Sequence, residues 1–343
     1  MSPGAPTPAQ FLREAPRGPY TAMRTFRRSG IVDWPSHLGR LHSSCREMAQ
    51  EYPTIFPDTC PTRSEIHKAL WPSLKEALRN TVHLSPIKCP NPEDSVPEGY
   101  QNELLVTIIL CPPAAPRQIT MNQVPGNSGN SFLSEASRLL SLSNGCCPHV
   151  DSWHIYLHMQ ELYPPSWLIP VDVLVEGGGR KLARSKDSYW AQERLPLERL
   201  KGDSFAEVIL SKGDGGLLEG LVSNLFIVLG PDTEGTAANS DNKSLPRIQT
   251  AEEGVLEGTM RAAVIRACHE CGYTIEYKRP HARDEPLWQE AFLCGTGRLV
   301  QPIGKMQWEG GRVIELKSSP GEVTRKVANV VAFQLRNFIT SVL

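Results

Sequence analysis

Apolar residues recur at intervals of three and four in several stretches of the chain, the pattern of helices with one buried face. The clearest of these begins near Ser36, which can cap a helix, and ends before Pro53. The same pattern predicts further helices over residues 63–79 with a kink or break at Pro72, 132–142, 259–271 and 320–338.

Short apolar runs bounded by Pro, Gly or polar residues predict strands buried within the protein. They cover residues 104–110, 153–159, 171–177, 205–211, 223–229 and 291–295. In each half of the chain the strands are grouped and the helices are segregated from them. This order predicts the α+β class.

The pattern also predicts two domains. Residues 1–17, rich in Pro and Ala, are expected to form a flexible tail. A smaller N-terminal α+β domain then covers 18–165, with an insertion near 112–150, and a linker at 166–170 leads to a larger C-terminal domain over 170–343. A ligand bound by both domains would lie between them.

The charge composition of the chain disfavours some classes of binding partner. The 343 residues carry 36 basic and 37 acidic side chains, a net charge of −1, which disfavours nucleic acid and anionic membranes as partners. The N-terminus lacks the apolar core of a signal peptide, and the nine cysteines follow no disulfide framework. Reduced thiols and a cytoplasmic location are therefore expected.

Two groups of cysteines invite a chemical interpretation. The run Cys146-Cys147-Pro-His149 contains metal-binding residue types, but zinc sites normally use spaced pairs with a distant second pair, so no metal is expected. Cys268 and Cys271 have the spacing of a redox pair but fall on the apolar face of a predicted helix, which favours buried packing.

Four segments carry candidate binding groups. Glu219 and the pair Ser223-Asn224 lie where two apolar runs meet, and this segment alone favours a solvated acid at a hairpin edge. The other three groups are the arginine Arg40 between two core leucines, the amides of Thr259 and Met260 at a helix start, and Thr296 in Gly-Thr-Gly. Each of these three could bind an anion, and each is also compatible with a purely structural role.

The order and spacing of these motifs along the chain resemble those of one protein family. The chain reads His37-x-x-Arg40-Leu, a lysine 33 residues before an acid, Glu-Gly-x-x-Ser-Asn, Gly-x-x-Arg at a helix start and Phe-x-x-Gly-Thr. This combination resembles the class IV aminotransferases, which are pyridoxal-phosphate enzymes of fold type IV. The resemblance covers about residues 18–306.

The resemblance implies a role for each motif residue. Lys186 matches the lysine that holds the cofactor as a Schiff base, and the competing Lys181 lies 38 residues before Glu219, a spacing that fits the family less well. Glu219 matches the acid at the pyridine nitrogen, and Tyr20 matches an aromatic residue presented to the substrate. The remaining cofactor-binding positions are Arg40, Ser223, Asn224, Thr259, Met260 and Thr296.

The chain also departs from the family pattern. Ala191 occupies the position where some members have a tyrosine that contacts the cofactor, which leaves Tyr189 as a substitute. Met260 replaces a usual hydroxyl residue, so its phosphate contact would come from the backbone. The insertion falls where members bind the substrate carboxylate, and the alternating residues His154, Tyr156 and His158 are candidates for that task.

The function implied by the resemblance is amino-group transfer between an amino acid and a 2-oxo acid, with pyridoxal 5'-phosphate as cofactor, in a homodimer. One alternative is an aminodeoxychorismate lyase, which releases pyruvate and 4-aminobenzoate. A second is a degenerate homologue that binds the cofactor without turnover. The joint presence of Lys186, Glu219 and Arg40 disfavours this second alternative.

Overall fold

The computed structural model describes residues 6–80, 103–112, 139–141, 153–162, 168–230 and 245–342. These residues form two β-sheets with helices packed against them, as the α+β expectation requires. The cluster at 146–149 and most of the stretch 112–150 lie outside the described residues. Among the helices of the described ranges, none has the length and apolar character needed to span a membrane.

The first sheet has six strands in the order β15-β2-β1-β3-β5-β4. Its strands are β1 Tyr20–Phe26, β2 Gly30–Val32, β3 Glu103–Cys111, β4 Leu139–Ser141, β5 His154–Leu162 and β15 Ile339–Ser341. Two long helices, α2 Trp34–Glu51 and α3 Arg63–Arg79, bury their apolar faces against it. Pro72 lies inside α3, which continues through it to Arg79.

The second sheet has nine strands, six of which close into a barrel because β8 pairs with both β7 and β9. The order β9-β12-β13-β6-β7-β8 returns to β9 at the pair Glu219 and Asn224. The strands are β6 Val171–Val175, β7 Glu207–Ser211, β8 Leu217–Gly220, β9 Asn224–Leu229, β10 Arg247–Thr250, β11 Thr274–Tyr277, β12 Trp288–Gly295, β13 Leu299–Trp308 and β14 Val313–Glu315.

Both faces of the barrel wall are buried, which explains why its strands are continuously apolar. On β9, Leu225 and Ile227 point into the barrel, whereas Phe226 packs under the helices α6 Thr259–Glu270 and α7 Glu322–Leu335. Two short helices, α4 Trp190–Glu193 and α5 Leu195–Lys201, follow the segment that carries Lys186. Short 3₁₀ helices cover Ala282–Leu287 and Arg336–Phe338.

Two expectations are wrong. Residues 8–14 of the expected tail form a helix, α1 Pro8–Glu14, because Thr7 and Gln10 make a reciprocal capping box and Phe11 is buried. Residues 139–141 of the expected helix 132–142 pair with β5 as strand β4. The C-terminal strand β15 pairs with β2 of the first sheet, although the strands β6 to β14 that precede it belong to the second.

Candidate active site

The Glu219 motif is the hairpin that closes the barrel. Glu219 at the end of β8 faces Asn224 at the start of β9, and the amide of Gly220 donates to the carbonyl of Ser223 at 2.8 Å. The Ser223 hydroxyl donates to the buried carboxylate of Glu207 at 2.9 Å. The barrel therefore fixes the direction of the Glu219 side chain.

Glu219 is 3% exposed and its carboxylate is fully surrounded by donors, so the expectation of a solvated acid is wrong. Arg180 donates from Nε at 2.9 Å and from Nη2 at 2.5 Å to one oxygen. Asn224 Nδ2 at 3.2 Å and the amide of Leu256 at 2.9 Å donate to the other. Burial raises the pKa of Glu219 and Arg180 opposes that shift, while all four hydrogen bonds favour the ionised form.

Arg180 is the functional residue that the sequence reasoning missed. Besides holding Glu219, it donates to the carbonyl of Ala183 at 2.7 Å, so it also shapes the segment that leads to Lys186. The available signal was chemical: a carboxylate between two apolar runs requires a cation, and Arg180 directly follows three glycines. Arg180 and Glu219 are 39 residues apart in the sequence, so no local sequence pattern indicates that they pair.

Lys186 lies in an irregular segment between β6 and α4, and its backbone is held from two sides. Its amide donates to Ser44 Oγ on α2 at 3.0 Å, and its carbonyl accepts from the amide of Tyr20 at 2.8 Å. The Nζ donates to the Tyr20 hydroxyl at 3.2 Å, in a cavity also lined by Glu219. Burial lowers the pKa of Lys186, which favours the neutral, nucleophilic amine.

The competing Lys181 has a different environment. Its side chain is 71% exposed and pairs with Glu51 at 2.7 Å, and this contact raises its pKa. An exposed ammonium group held by a carboxylate is a poor nucleophile. The structure therefore favours Lys186 over Lys181 as the reactive lysine.

The two lysines should differ in the pH at which they react with an acylating reagent. We expect the labelling rate of Lys186 in cofactor-free protein to reach half of its plateau at a lower pH than that of Lys181, because only the neutral amine reacts. Mass spectrometry of the labelled peptides over a pH series measures both midpoints in one sample. Equal midpoints would show that burial does not lower the pKa of Lys186.

A second part of the site can hold an anion. Thr259, Met260 and Thr296 line a small cavity at the start of α6, where the first amides of a helix lack acceptors within it. The rest of the lining consists of Arg24, Val32, Asp33, His37 and Leu335. The predicted Thr259, Met260 and Thr296 group is thus brought together from two distant segments.

Arg40 lies on the other side of the same helix start. Its Nη2 donates to the carbonyl of Glu257 at 2.7 Å, and it lines a cleft together with Gly258 and Thr259. Burial lowers its pKa to about 10, so it remains a cation at neutral pH. Arg40 therefore adds positive charge to the anion-binding end of the site.

Residues 256–258 connect the part of the site around Glu219 with the anion-binding part at the start of α6. The amide of Leu256 reaches Glu219, and its carbonyl accepts from Asn224 Nδ2 at 2.8 Å. Gly258, which precedes α6, lies so close to Asn224 that a Cβ there would be 2.4 Å from Oδ1. The glycine is thus required by the close approach of the Asn224 side chain to the backbone.

Gly258→Ala should therefore disturb the site. The added methyl group displaces the Asn224 amide and its hydrogen bonds to Glu219 and Leu256, and we expect a loss of about 1–3 kcal/mol in the free energy of unfolding. Chemical denaturation measures this loss. Gly178→Ala is the matched control because a Cβ at Gly178 meets no atom within 4 Å. Equal stability of the two variants would contradict the prediction.

Other sequence candidates lie elsewhere. The Tyr189 ring packs against Arg17, 4.8 Å from its guanidinium carbon, and the residue is 38% exposed. His158 stacks on Phe11 of α1 with ring centroids 5.0 Å apart and bonds to the carbonyl of Pro6 at 2.9 Å. These contacts indicate a structural role for both side chains.

The predicted cysteine helix lies within the described residues. Cys268 is buried on α6 and Cys271 is half-buried at its end, both as free thiols. No cluster of three or more His, Cys, Asp or Glu suited to a metal ion occurs within the ranges that the structure describes.

Comparison with known proteins identifies relatives of this arrangement. The family model described as amino-transferase class IV matches residues 155–306. The branched-chain-amino-acid aminotransferase 2, chloroplastic, of Arabidopsis thaliana is 27% identical over 156 residues, which are 45% of this chain and 36% of that protein. The chain thus aligns with about a third of the length of this curated relative.

Solved structures match over nearly the full chain. A hypothetical aminotransferase from Mycobacterium tuberculosis in its PLP-bound form has a TM-score of 0.59 at 16% identity, covering 98% of this chain and 96% of that one. A branched-chain amino acid aminotransferase from Thermobaculum terrenum in its PLP form gives 0.59 at 18%, covering 99% and 94%. A fold IV transaminase from Curtobacterium pusillum gives 0.58 at 18%, covering 93% and 86%.

The closed barrel of the second sheet, together with the six-stranded first sheet, gives the chain the fold of these type IV transaminase structures. The stretch that matches the class IV aminotransferase model, residues 155–306, contains Lys186, Glu219 and Thr296. The resemblance read from the sequence motifs is thereby confirmed.

Proposed function

We propose that this protein is a pyridoxal-phosphate-dependent aminotransferase that moves an amino group between an amino acid and a 2-oxo acid. The observation that carries the proposal is the buried lysine Lys186, whose pKa is lowered and whose cavity also contains the carboxylate of Glu219. The family match and the type IV fold support the same reaction.

The residues present fit the three reactive parts of pyridoxal phosphate. Lys186 offers an amine for the aldehyde, and Glu219 offers a buried carboxylate for a protonated ring nitrogen. Arg40, the first amides of α6 at Thr259 and Met260, and Thr296 offer donors for the phosphate. These donors come from three separate segments, which is consistent with a ligand held between the domains.

When bound, the cofactor supplies an electron sink for the bond broken at the substrate α-carbon. Lys186 then has two tasks, holding the cofactor and moving the proton at its Nζ. The Tyr20 hydroxyl orients that Nζ, and Arg180 orients the Glu219 carboxylate and opposes the rise of its pKa on burial. Asn224 and Ser223 act mainly by positioning, through Glu219 and Glu207 respectively.

A donor screen tests the proposal. Purified enzyme loaded with pyridoxal phosphate is mixed with single amino acids of both L and D configuration, and its visible absorption is followed. We expect at least one donor to abolish the band in one turnover with release of the matching 2-oxo acid, and a 2-oxo acid to restore it. Absence of any spectral change would contradict the proposal in favour of a degenerate binder.

The requirement for a 2-oxo acid acceptor distinguishes the transaminase from the lyase alternative. A transaminase stops after one turnover unless a 2-oxo acid is added, whereas a lyase releases pyruvate from aminodeoxychorismate continuously. Sustained pyruvate release without an acceptor would overturn the transaminase assignment.

We also infer a cytoplasmic homodimer. The support is the resemblance for the dimer and, for the location, the spacing of the nine cysteines, which follows no disulfide framework. Sedimentation analysis of the purified protein and microscopy of a tagged chain test these two points separately.

A further inference from the structure

The segment that carries Lys186 is paired with the N-terminal segment of the chain. Residues 17–20 run antiparallel to residues 186–189, with a bridge between Pro19 and Asp187. The amide of Ser188 donates to the carbonyl of Gly18 at 3.0 Å, and the amide of Gly18 donates to Ser188 Oγ at 3.1 Å. Together with the bond from Tyr20 to Lys186, these contacts form a short two-stranded ladder.

Arg17 closes this ladder at one end. Its Nε lies 3.1 Å from each carboxylate oxygen of Asp187, and its Nη2 lies 2.5 Å from one of them. The guanidinium is stacked between two rings, with its carbon 4.0 Å from the centroid of Tyr52 and 4.8 Å from that of Tyr189. A planar cation fixed by a carboxylate and two aromatic faces has little freedom to move.

Each partner of Arg17 belongs to a different part of the site. Asp187 directly follows Lys186, and its Oδ1 also accepts from the amide of Tyr189 at 3.0 Å. Tyr52 is the residue at which α2 ends, and α2 carries Arg40 as well as Ser44, which holds the Lys186 amide. Arg17 thus joins the lysine segment to the helix that carries the anion-binding arginine.

The lysine segment lies outside both sheets. Lys186 is found in turns between β6 and α4, so the ladders of the two sheets do not fix its backbone. Side-chain contacts must contribute, and the contact from Ser185 Oγ to Glu47 at 2.5 Å supplies one on the side of α2. Arg17 holds the side of the lysine segment that faces the N-terminal segment of the chain.

We propose that Arg17 is a positioning residue that fixes Lys186 for catalysis through Asp187. The proposal rests on the proposed function, because it gives Lys186 the reactive role. Nucleophilic catalysis requires the reacting atoms to be held close and aligned, and a displacement of about 1 Å can lower a rate about 100-fold. Loss of the Arg17 contacts should therefore affect turnover more than substrate binding.

The test compares Arg17→Ala and Arg17→Lys with Arg13→Ala in the cofactor-loaded enzyme. Arg13 is the matched control because it lies in the same N-terminal segment and pairs with Glu198 at 3.7 Å, away from the lysine segment. Hydrogen exchange of peptides that cover residues 184–192 reports on the ladder, and kcat and KM report on function. The melting temperature reports on global stability.

For Arg17→Ala we expect at least about tenfold faster exchange in those peptides, a fall in kcat of about 10- to 100-fold and a KM changed by less than about threefold. Arg17→Lys keeps the charge but loses the planar guanidinium group, so its exchange rate and kcat should lie between those of Arg17→Ala and Arg13→Ala. The lysine variant also allows the test if Arg17→Ala does not fold. Arg13→Ala should match the unmodified enzyme.

Two results would overturn the inference. One is faster local exchange with unchanged kcat, which would make Arg17 a purely structural residue. The other is a kcat loss that accompanies faster exchange throughout the protein and a lower melting temperature. Failure of the proposed function looks different, because the unmodified enzyme would then transfer no amino group from any donor.

Discussion

Lys186→Ala is expected to lower the rate of amino transfer by at least about 10³-fold, because the proposed function makes this lysine both the nucleophile and the proton carrier. Among the described residues that line the cavity, Lys186 supplies the amine, with its Nζ 3.2 Å from the Tyr20 hydroxyl. Steady-state kinetics with the donor found in the screen measures the loss.

Covalent capture gives an independent measurement. Borohydride reduction of the loaded enzyme should attach the cofactor to the peptide that contains Lys186, and Lys186→Ala should leave little label. Lys181→Ala is the matched control, since this exposed lysine pairs with Glu51 and should be dispensable. Label on Lys181 in the unmodified enzyme would reverse the assignment.

Glu219→Gln is expected to slow the half-reaction at least about tenfold. A carboxylate next to the protonated ring nitrogen favours that cation by about one to three pKa units, and each unit corresponds to about 1.4 kcal/mol. The amide keeps the shape of the side chain but not its charge. Cofactor content should stay near normal, because the anion-binding donors at Arg40 and α6 are untouched.

The same variant should also lose stability, since it leaves Arg180 buried without its charge partner. We expect a loss on the order of 3 kcal/mol in the free energy of unfolding. Arg180→Met combined with Glu219→Gln removes both charges and should recover much of this loss. An unchanged half-reaction rate in Glu219→Gln would show that the carboxylate does not support the electron sink, whatever its effect on stability.

Local patterns predicted most elements of the fold. The helices α2, α3, α6 and α7 and the strands β3, β6 and β9 follow from periodicity and from apolar runs, because each buries one or both faces in a core. The helix at the chain start was missed because Pro and Ala suggest a tail. Its Thr7-Gln10 capping box and the burial of Phe11 against the first sheet stabilise it instead.

The sequence by itself predicted the likeness to the class IV aminotransferases, since the order and spacing of the motifs around Lys186, Glu219 and Thr296 resemble that family. It also supplied the candidate site residues. Each of these properties depends on residue type and spacing along the chain.

Only the tertiary structure decided the partners of those groups. Arg180 reaches Glu219 across 39 residues, and Arg17 reaches Asp187 across 170. Such pairings depend on the closure of the barrel and on the path of the N-terminal segment, which bring distant residues together without leaving a local pattern. The burial that raises the pKa of Glu219 and lowers that of Lys186 arises in the same way, from the packing of whole elements around each charge.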